Sequence, residues 1–492
     1  MNKYDFDVVV IGGGAAGLTS SGMAAHLGAK TMMIEAEKLG GDCTWTGCVP
    51  SKILLKAGKV AQQMRQAGKY GLIDTEPEID FQKVIRHVHS IRQDIYEEAD
   101  APENFEAMGI EVVQGRASFR NEHTIEIALK NGESRTVTSR FFFICVGASV
   151  VVPPIEGLDS VDYLTSESLF EIEKLPEELI IIGAGPIGTE MAQALNRLES
   201  KVIVIDQADR IMTNGDLELA EILFDCLKDE GVNYELGAEV KKIASDVKKV
   251  QVEVKVEEES KIISGDTLLL ATGRSANTES LNLKAAGIEY SDNGVNVNDK
   301  CRTNISHIYA CGDINGEYQF THMSEHMAKV AVQNALLKIP KTMGRWCVSW
   351  CTYVDPELAH VGATEQQLKD EGKNYEVFRF PYSKVDRAVT ESEAEGLIKI
   401  FVTKWRGKIL GASITGAHAG ELICEYAVAM KNGVSLSNIA DTIHPYPTYA
   451  LGARRAADQW YINLLSEWQI KFVKAVFGYR GKILENESDQ II

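Results

Sequence analysis

The chain has 492 residues, 45% of them hydrophobic and 25% charged, which suits about three soluble globular domains around substantial cores. Lys and Arg number 51 against 70 Asp and Glu, for a net charge of −19, and this excludes non-specific nucleic-acid binding. Nine cysteines in this length are no secreted disulfide scaffold, and no apolar run reaches the length of a membrane span. The expected location is the cytoplasm, and any special cysteine pair is expected to be redox-active or metal-binding.

The opening MNKYDFDVVVIGGG is not a signal peptide, because Asp5 and Asp7 interrupt it and its short apolar run ends in glycines. FDVVVIGGGAAG reads instead as a strand entering a turn of Gly12, Gly14 and Gly17 before a helix, and the next apolar run, TMMIE, ends at Glu35. The pattern recurs as ELIIIGAGPIG, with Gly183, Gly185 and Gly188, and VIVID ends at Asp206. In both copies the acid lies 23 positions after the first glycine. A strand ending at Gly147 follows the first copy and one ending at Gly273 follows the second, with Pro153 and Pro154 marking a crossing linker. TNISHIYACGD returns to strand character, and from about Trp346 strands alternate with long amphipathic helices.

The first glycine permits a tight turn, the second lets the backbone approach a pyrophosphate, and the third lets helix and sheet pack closely. The helix N-terminus stabilises the phosphate charge and the acid accepts hydrogen bonds from a ribose. Two copies with matched acids predict two dinucleotide sites, hence two redox cofactors exchanging electrons. A 2′-phosphate beside the Asp206 carboxylate would meet about 4 kcal/mol of repulsion at 4 Å and an effective dielectric near 20. Even a third of that is about tenfold in affinity, so NADH is expected over NADPH, with Arg210 one turn on as the counter-argument.

Between the copies lies GGDCTWTGCVPSK, residues 40–52. Cys43 and Cys48 are placed to form a disulfide whose short loop makes it a poor structural staple. A helix starting near Cys48 would lower that thiol's pKa, and Lys52 on the same helical face adds positive charge. The other readings of the pair are two buried thiols or half of a zinc site completed by Cys347 and Cys351.

The run GGDCTWTGCVPSK resembles the redox motif of the class I pyridine nucleotide-disulfide oxidoreductases, which include dihydrolipoamide dehydrogenase, glutathione reductase and mercuric reductase. GAGPIGTE, ATGRSANT, IYACGD and YVDPELAHVG follow in that family's order. The resemblance implies an α/β fold with two Rossmann-like domains, for FAD and NAD, and a C-terminal α+β domain that forms a two-fold homodimer. It implies FAD at Gly12, Gly14, Gly17 and Glu35, with Gly41, Ala117, Gly147 and Asp313 also at cofactor positions. Gly183, Gly185, Gly188, Asp206, Gly273 and Arg274 fall at nicotinamide-cofactor positions. Cys43 matches the thiol that attacks substrate, Cys48 the thiol against the flavin, Lys52 the lysine near the reactive flavin nitrogen, and Glu190 its ion-pair partner. The implied domains are 1–150 (FAD), 151–273 (NAD), 274–345 (return segment), 346–460 (dimerisation) and 461–492 (tail), with no resident metal site.

The resemblance departs at HPYPTYAL. Thiol reductases of the family place a His-Pro-Thr-x-x-Glu run from the partner subunit over the thiols as acid/base. Here Tyr446 takes the histidine position and Leu451 the glutamate position. A tyrosine with an ordinary pKa near 10 is a poor proton acceptor at neutral pH, and His444, two residues upstream, is expected to be a structural loop histidine. A tyrosine at this position is similar to mercuric reductase, yet no cysteine follows Cys424, so the metal-relaying cysteine pair of that enzyme is missing. The expected acceptor is a small molecule or a metal ion; the contrasting reading is a non-catalytic redox sensor. Cys347 and Cys351 are expected on one face of a strand, as core residues. The aromatic, basic tail WYINLLSEWQIKFVKAVFGYR is expected to pack on the protein's own body rather than on a membrane.

Overall fold

The computed structural model describes residues 3–246, 249–464 and 466–482. The chain divides into two compact units, Met1–Arg210 with Gly231–Gly344, and Ile211–Glu230 with Arg345–Ile492.

In the first unit the β-branched run Phe6–Ile11 is the middle of a parallel sheet, flanked by Thr31–Glu35 on one side and Ser134–Ile144 on the other. Runs such as Val8, Val9 and Val10 are wholly buried, as expected for strands covered on both faces. Glu111–Asn121 extends the sheet beyond Thr31–Glu35, and Ile308–Ala310 returns to pair with Ser134–Ile144. A second parallel sheet runs in the order Thr267–Leu270, Glu178–Ile182, Lys201–Asp206, Asn233–Leu236. A short antiparallel ladder of Ala148–Val150 with Arg274–Ala276 links the two sheets' chains where Gly147 and Gly273 turn with positive φ. The mixed α/β architecture with two dinucleotide folds is the one expected.

The second unit is built on a five-stranded antiparallel sheet, ordered Ser349–Thr352, Glu357–Gly362, Ile409–Gly416, Leu397–Val402, Glu376–Pro381. The helices Ala419–Lys431 and Ala450–Leu464 cover it, with Trp460 buried edge-on to Phe378. The helix Leu217–Asp229, expected inside the 151–273 domain, belongs to this second unit instead. The reason is a buried cation. Lys399 lies within a strand, its side chain 3% exposed, and its Nζ sits 2.9 Å from Asp216, 3.0 Å from Glu218 and 2.7 Å from Glu365. A buried ammonium needs such partners, and two of them come from the start of that helix.

Two expectations are corrected. Cys347 ends a 3-10 turn, Arg345–Cys347, while Cys351 lies on Ser349–Thr352, so the pair does not share a strand, although both pack against the unit's core. No cluster of three or more His, Cys, Asp or Glu able to hold a metal occurs among the described residues. The tail helix, Glu467–Phe477, leaves Trp468 and Phe472 68% and 63% exposed rather than buried on the body.

Replacing Lys399 by Met should destabilise the second unit by about 3 kcal/mol, because three carboxylates lose their cation. Burial alone would raise the Glu365 carboxyl, but Lys399 and Lys369 hold it down to about 2. The stabilisation from that depressed acid is complete above its ordinary value of 4.5 and is lost as the pH falls towards about 2. Urea unfolding across this acid range should therefore be less pH-dependent in Lys399→Met than in the unaltered protein.

Candidate active site

The two glycine turns have the same internal logic. At φ +104° and +115°, Gly12 and Gly183 adopt conformations that side chains avoid, and a Cβ on either would fall 2.3 Å from the carbonyl oxygen of Cys145 or Ala271. A Cβ on Gly17 or Gly188 would fall 1.9 Å from the carbonyl oxygen of Gly12 or Gly183. The fold itself demands these four. It does not demand the middle pair: a Cβ on Gly14 would meet nothing closer than 3.8 Å, and one on Gly185 nothing within 4 Å. A glycine facing open space at a helix start suits a phosphate that must come close to the backbone.

The helices that follow, Ala15–His26 and Pro186–Arg197, have no side-chain cap and no acid in the first turn. Their N-terminal N–H groups and dipoles are left to an anion. Glu35 accepts the N–H of Gly13 at 2.6 Å and of Glu37 at 2.7 Å, and Asp206 accepts those of Ala184 at 2.6 Å and Ala208 at 2.8 Å. Each acid is thereby held at the end of its strand, facing the turn. These cradles fit two dinucleotides.

The thiol pair is docked on the first cradle. Gly40 donates to the Gly13 carbonyl at 2.9 Å, and a Cβ on Gly41 would come within 2.8 Å of Gly14. Cys43 lies in the short helix Gly41–Trp45, and Cys48 is the first residue of the helix Cys48–Arg65. Both are thiols, and the Cys43 S–H donates to Cys48. That bond does most to bring Cys48 down to about 6; desolvation opposes it, and the Thr321 hydroxyl and Lys52 ammonium assist it. The same bond, then burial, pushes the Cys43 thiol well up. The two thiols are thereby made unequal, Cys48 the easier to deprotonate and Cys43 the harder.

Thr321 was not legible as a site residue. Its Oγ lies 3.2 Å from the Cys48 sulfur, at the start of the helix Thr321–Val332. Lys52, one turn after Cys48, makes a two-pronged ion pair with Glu190, at 3.1 and 2.8 Å. Glu190 belongs to the second nucleotide helix and is buried. Gly58 lets the two helices close up, since a Cβ there would lie 3.1 Å from the Ala194 carbonyl oxygen. Behind the pair, Thr44 donates to the buried Asp100 at 2.7 Å, another contact without a sequence signal.

The other expected residues divide. Asp313 is half-buried at the start of a 3-10 turn, its carboxyl pushed up by desolvation and drawn back by Arg274. Arg274 pairs with Asp42, next to Cys43, donates to the Ala148 carbonyl, and keeps its Nε buried without a hydrogen bond, 3.8 Å from Asp313. Ala117 is a core residue on Glu111–Asn121, opposite Ile127.

In the second unit Tyr446 is 69% exposed and Leu451 is buried. His444 uses both ring nitrogens internally: Nδ1 lies 2.9 Å from the Thr442 carbonyl oxygen and Nε2 2.9 Å from Glu425. With its side chain 7% exposed, it offers no free nitrogen to a substrate.

Two dinucleotide cradles meeting at a thiol pair define an enzyme that moves electrons between two cofactors and sulfur. Residues 6–333 match the pyridine nucleotide-disulphide oxidoreductase family and residues 348–457 match that family's dimerisation domain; the chain belongs to this family. It is 34% identical to mercuric reductase of Bacillus cereus over 92% of this chain and 71% of that protein. It is 31% identical to dihydrolipoyl dehydrogenase of Bacillus subtilis over 92% and 97%. Among solved structures, the Cu(II) complex of the HOCl-induced flavoprotein disulfide reductase RclA from Escherichia coli superposes with a TM-score of 0.82. The identity is 28%, covering 93% of this chain and 100% of that one. LpdA of Mycobacterium tuberculosis, at 24% identity and TM-score 0.85 over 94% and 100%, shares the fold. The protein is thus an FAD-dependent, NAD(P)H-linked oxidoreductase.

Alkylation of Cys48 by iodoacetamide, followed against pH in the reduced protein, should titrate near 6. Thr321→Val should move that midpoint up by about one unit, as expected for a hydrogen bond to a charged group. An unmoved midpoint would remove Thr321 from the site.

Proposed function

We propose that the chain is an NADH-dependent reductase of thiophilic metal ions, mercuric or cupric, rather than of low-molecular-weight disulfides. The observation that carries this is the missing base: Tyr446 and Leu451 occupy the positions of the family's acid/base pair, and both nitrogens of His444 are already bonded. Relatives named mercuric reductase and the Cu(II) complex of RclA support the same reading.

FAD, when bound, would supply two-electron transfer between the nicotinamide and the cysteines. Gly12, Gly14, Gly17 and Glu35 would hold it, with Gly41, Gly147 and Asp313 also at its site. Gly183, Gly185, Gly188, Gly273 and Asp206 hold the nicotinamide nucleotide. Lys52, fixed by Glu190, keeps a positive charge beside the Cys48 thiolate. In the two-fold homodimer that the dimerisation domain supports, Tyr446 of the partner subunit would overhang the pair, and Arg274 would steady Asp42 beside Cys43. Cys43 binds the soft metal through its sulfur, exchanging its proton for the metal, and that proton leaves with the thiol ligand the metal gives up or to water, so no placed general base is required. A disulfide acceptor, in contrast, needs a proton for its departing thiolate, and a placed acid/base is worth about 10²–10⁴ in rate.

With NADH and purified protein, absorbance at 340 nm should fall faster with thiol-ligated Hg(II) or Cu(II) than with glutathione disulfide or lipoamide, by at least about a hundredfold. Tyr446→His with Leu451→Glu should raise disulfide turnover. Rapid lipoamide turnover by the unaltered enzyme would overturn the proposal.

The nicotinamide preference follows from Asp206. NADH should be used in preference to NADPH, and Asp206→Ala should narrow the kcat/KM ratio by about tenfold through lost repulsion. Equal use of both nucleotides by the unaltered enzyme would count against this assignment.

A further inference from the structure

Outside the active site, the least settled surface is the tail helix. Glu467–Phe477 is well specified: Ser466 and Gln469 form a capping box, and Gly478 closes the helix in the left-handed conformation. It begins ten residues beyond the last position matched to the dimerisation domain. It also has two apolar faces. Ile470 and Val473 are half-buried on one. Trp468, Phe472 and Val476, spaced four apart on the other, are exposed. Phe477, on the side of Ile470 and Val473, and Tyr479 are exposed where the helix ends, with their rings stacked 5.8 Å apart. A helix that only packed on its own body would need the first face and would not carry the second.

The charges of this segment are mostly positive. Residues 466–482 hold Lys471, Lys474, Arg480 and Lys482 against Glu467, a net charge of +3 in a chain of −19. Lys471 pairs with Glu467, and Lys474 donates to the Gly481 carbonyl. Glu485, Glu487 and Asp489 follow outside the described residues. Trp, Phe and Tyr on one side with Lys and Arg around them are the composition of a helix lying in a lipid interface. A second copy is a poorer occupant: a two-fold contact would set this cationic rim against itself. No helix among the described residues is long and apolar enough to cross a membrane.

We propose that the tail helix docks the protein onto an anionic lipid surface, lying flat, with Trp468, Phe472 and Val476 at the boundary between headgroups and acyl chains. The cations then meet lipid phosphates, and the attraction weakens with salt.

The test uses the full chain as the FAD-loaded dimer, sedimented with vesicles of phosphatidylcholine alone or mixed with phosphatidylglycerol. The protein should pellet with the mixed vesicles, less so as salt is raised, and stay in solution with phosphatidylcholine alone. The triple variant Trp468→Ala, Phe472→Ala, Val476→Ala should lose at least about tenfold in partitioning while its flavin is still reduced by NADH. Should that variant fold poorly, brominated lipid should quench the fluorescence of the unaltered protein more than that of Trp468→Phe. An unaltered protein that stays in solution with mixed vesicles overturns the proposal, as does a folded triple variant that still binds. Loss of the dimer in the triple variant without vesicle binding by the parent would assign the face to a second copy, which also overturns it.

Discussion

The active site depends on one ion pair, Lys52 with Glu190. Lys52 stands on the helix that begins at Cys48, and Glu190 stands on the helix that begins at the second glycine turn. Glu190 is buried and would be costly as a lone charge. Its two-pronged contact with the ammonium therefore fixes the angle at which the thiol-bearing helix meets the second nucleotide cradle. Gly58 lets the two helices touch along their length. Through this contact the thiols, the first cradle and the second cradle share one frame, which electron transfer between two cofactors and sulfur requires.

Within that frame the two sulfurs are made unequal. Cys48 gains a helix start, the Thr321 hydroxyl and the Lys52 charge, whereas Cys43 is the harder to deprotonate. The division needs no outside base so long as the acceptor is one that a thiolate can bind directly. The loop around Tyr446 agrees with this chemistry: His444 is turned inward to Glu425 and the Thr442 carbonyl. The buried Lys399 has a similar organising role in the second unit, where it draws Asp216 and Glu218 in from a distant part of the chain.

Much of the site was legible because it is local. Gly12, Gly14, Gly17 and Glu35, and their counterparts Gly183, Gly185, Gly188 and Asp206, lie within single strand–turn–helix–strand units whose geometry is set over some two dozen residues. The pair Cys43 and Cys48, with Lys52 a turn later, is local in the same way. Thr321 and Asp100 were not legible, since each reaches the thiol loop from far along the chain with no periodicity or spacing to mark it. Arg274 is marked by its motif, but its reach to Asp42 and Asp313 is not, because it depends on how the ladder at Ala148–Val150 is laid down.

The sequence by itself determined the two cradles, the cysteine pair and the family, because each of these is written in neighbouring residues. Only the tertiary structure decided which unit claims Leu217–Asp229, that His444 has no free nitrogen, that Thr321 touches Cys48, and which face of the tail helix is left bare. Burial and long-range pairing settle those questions, and they depend on the packing of residues far apart in the chain.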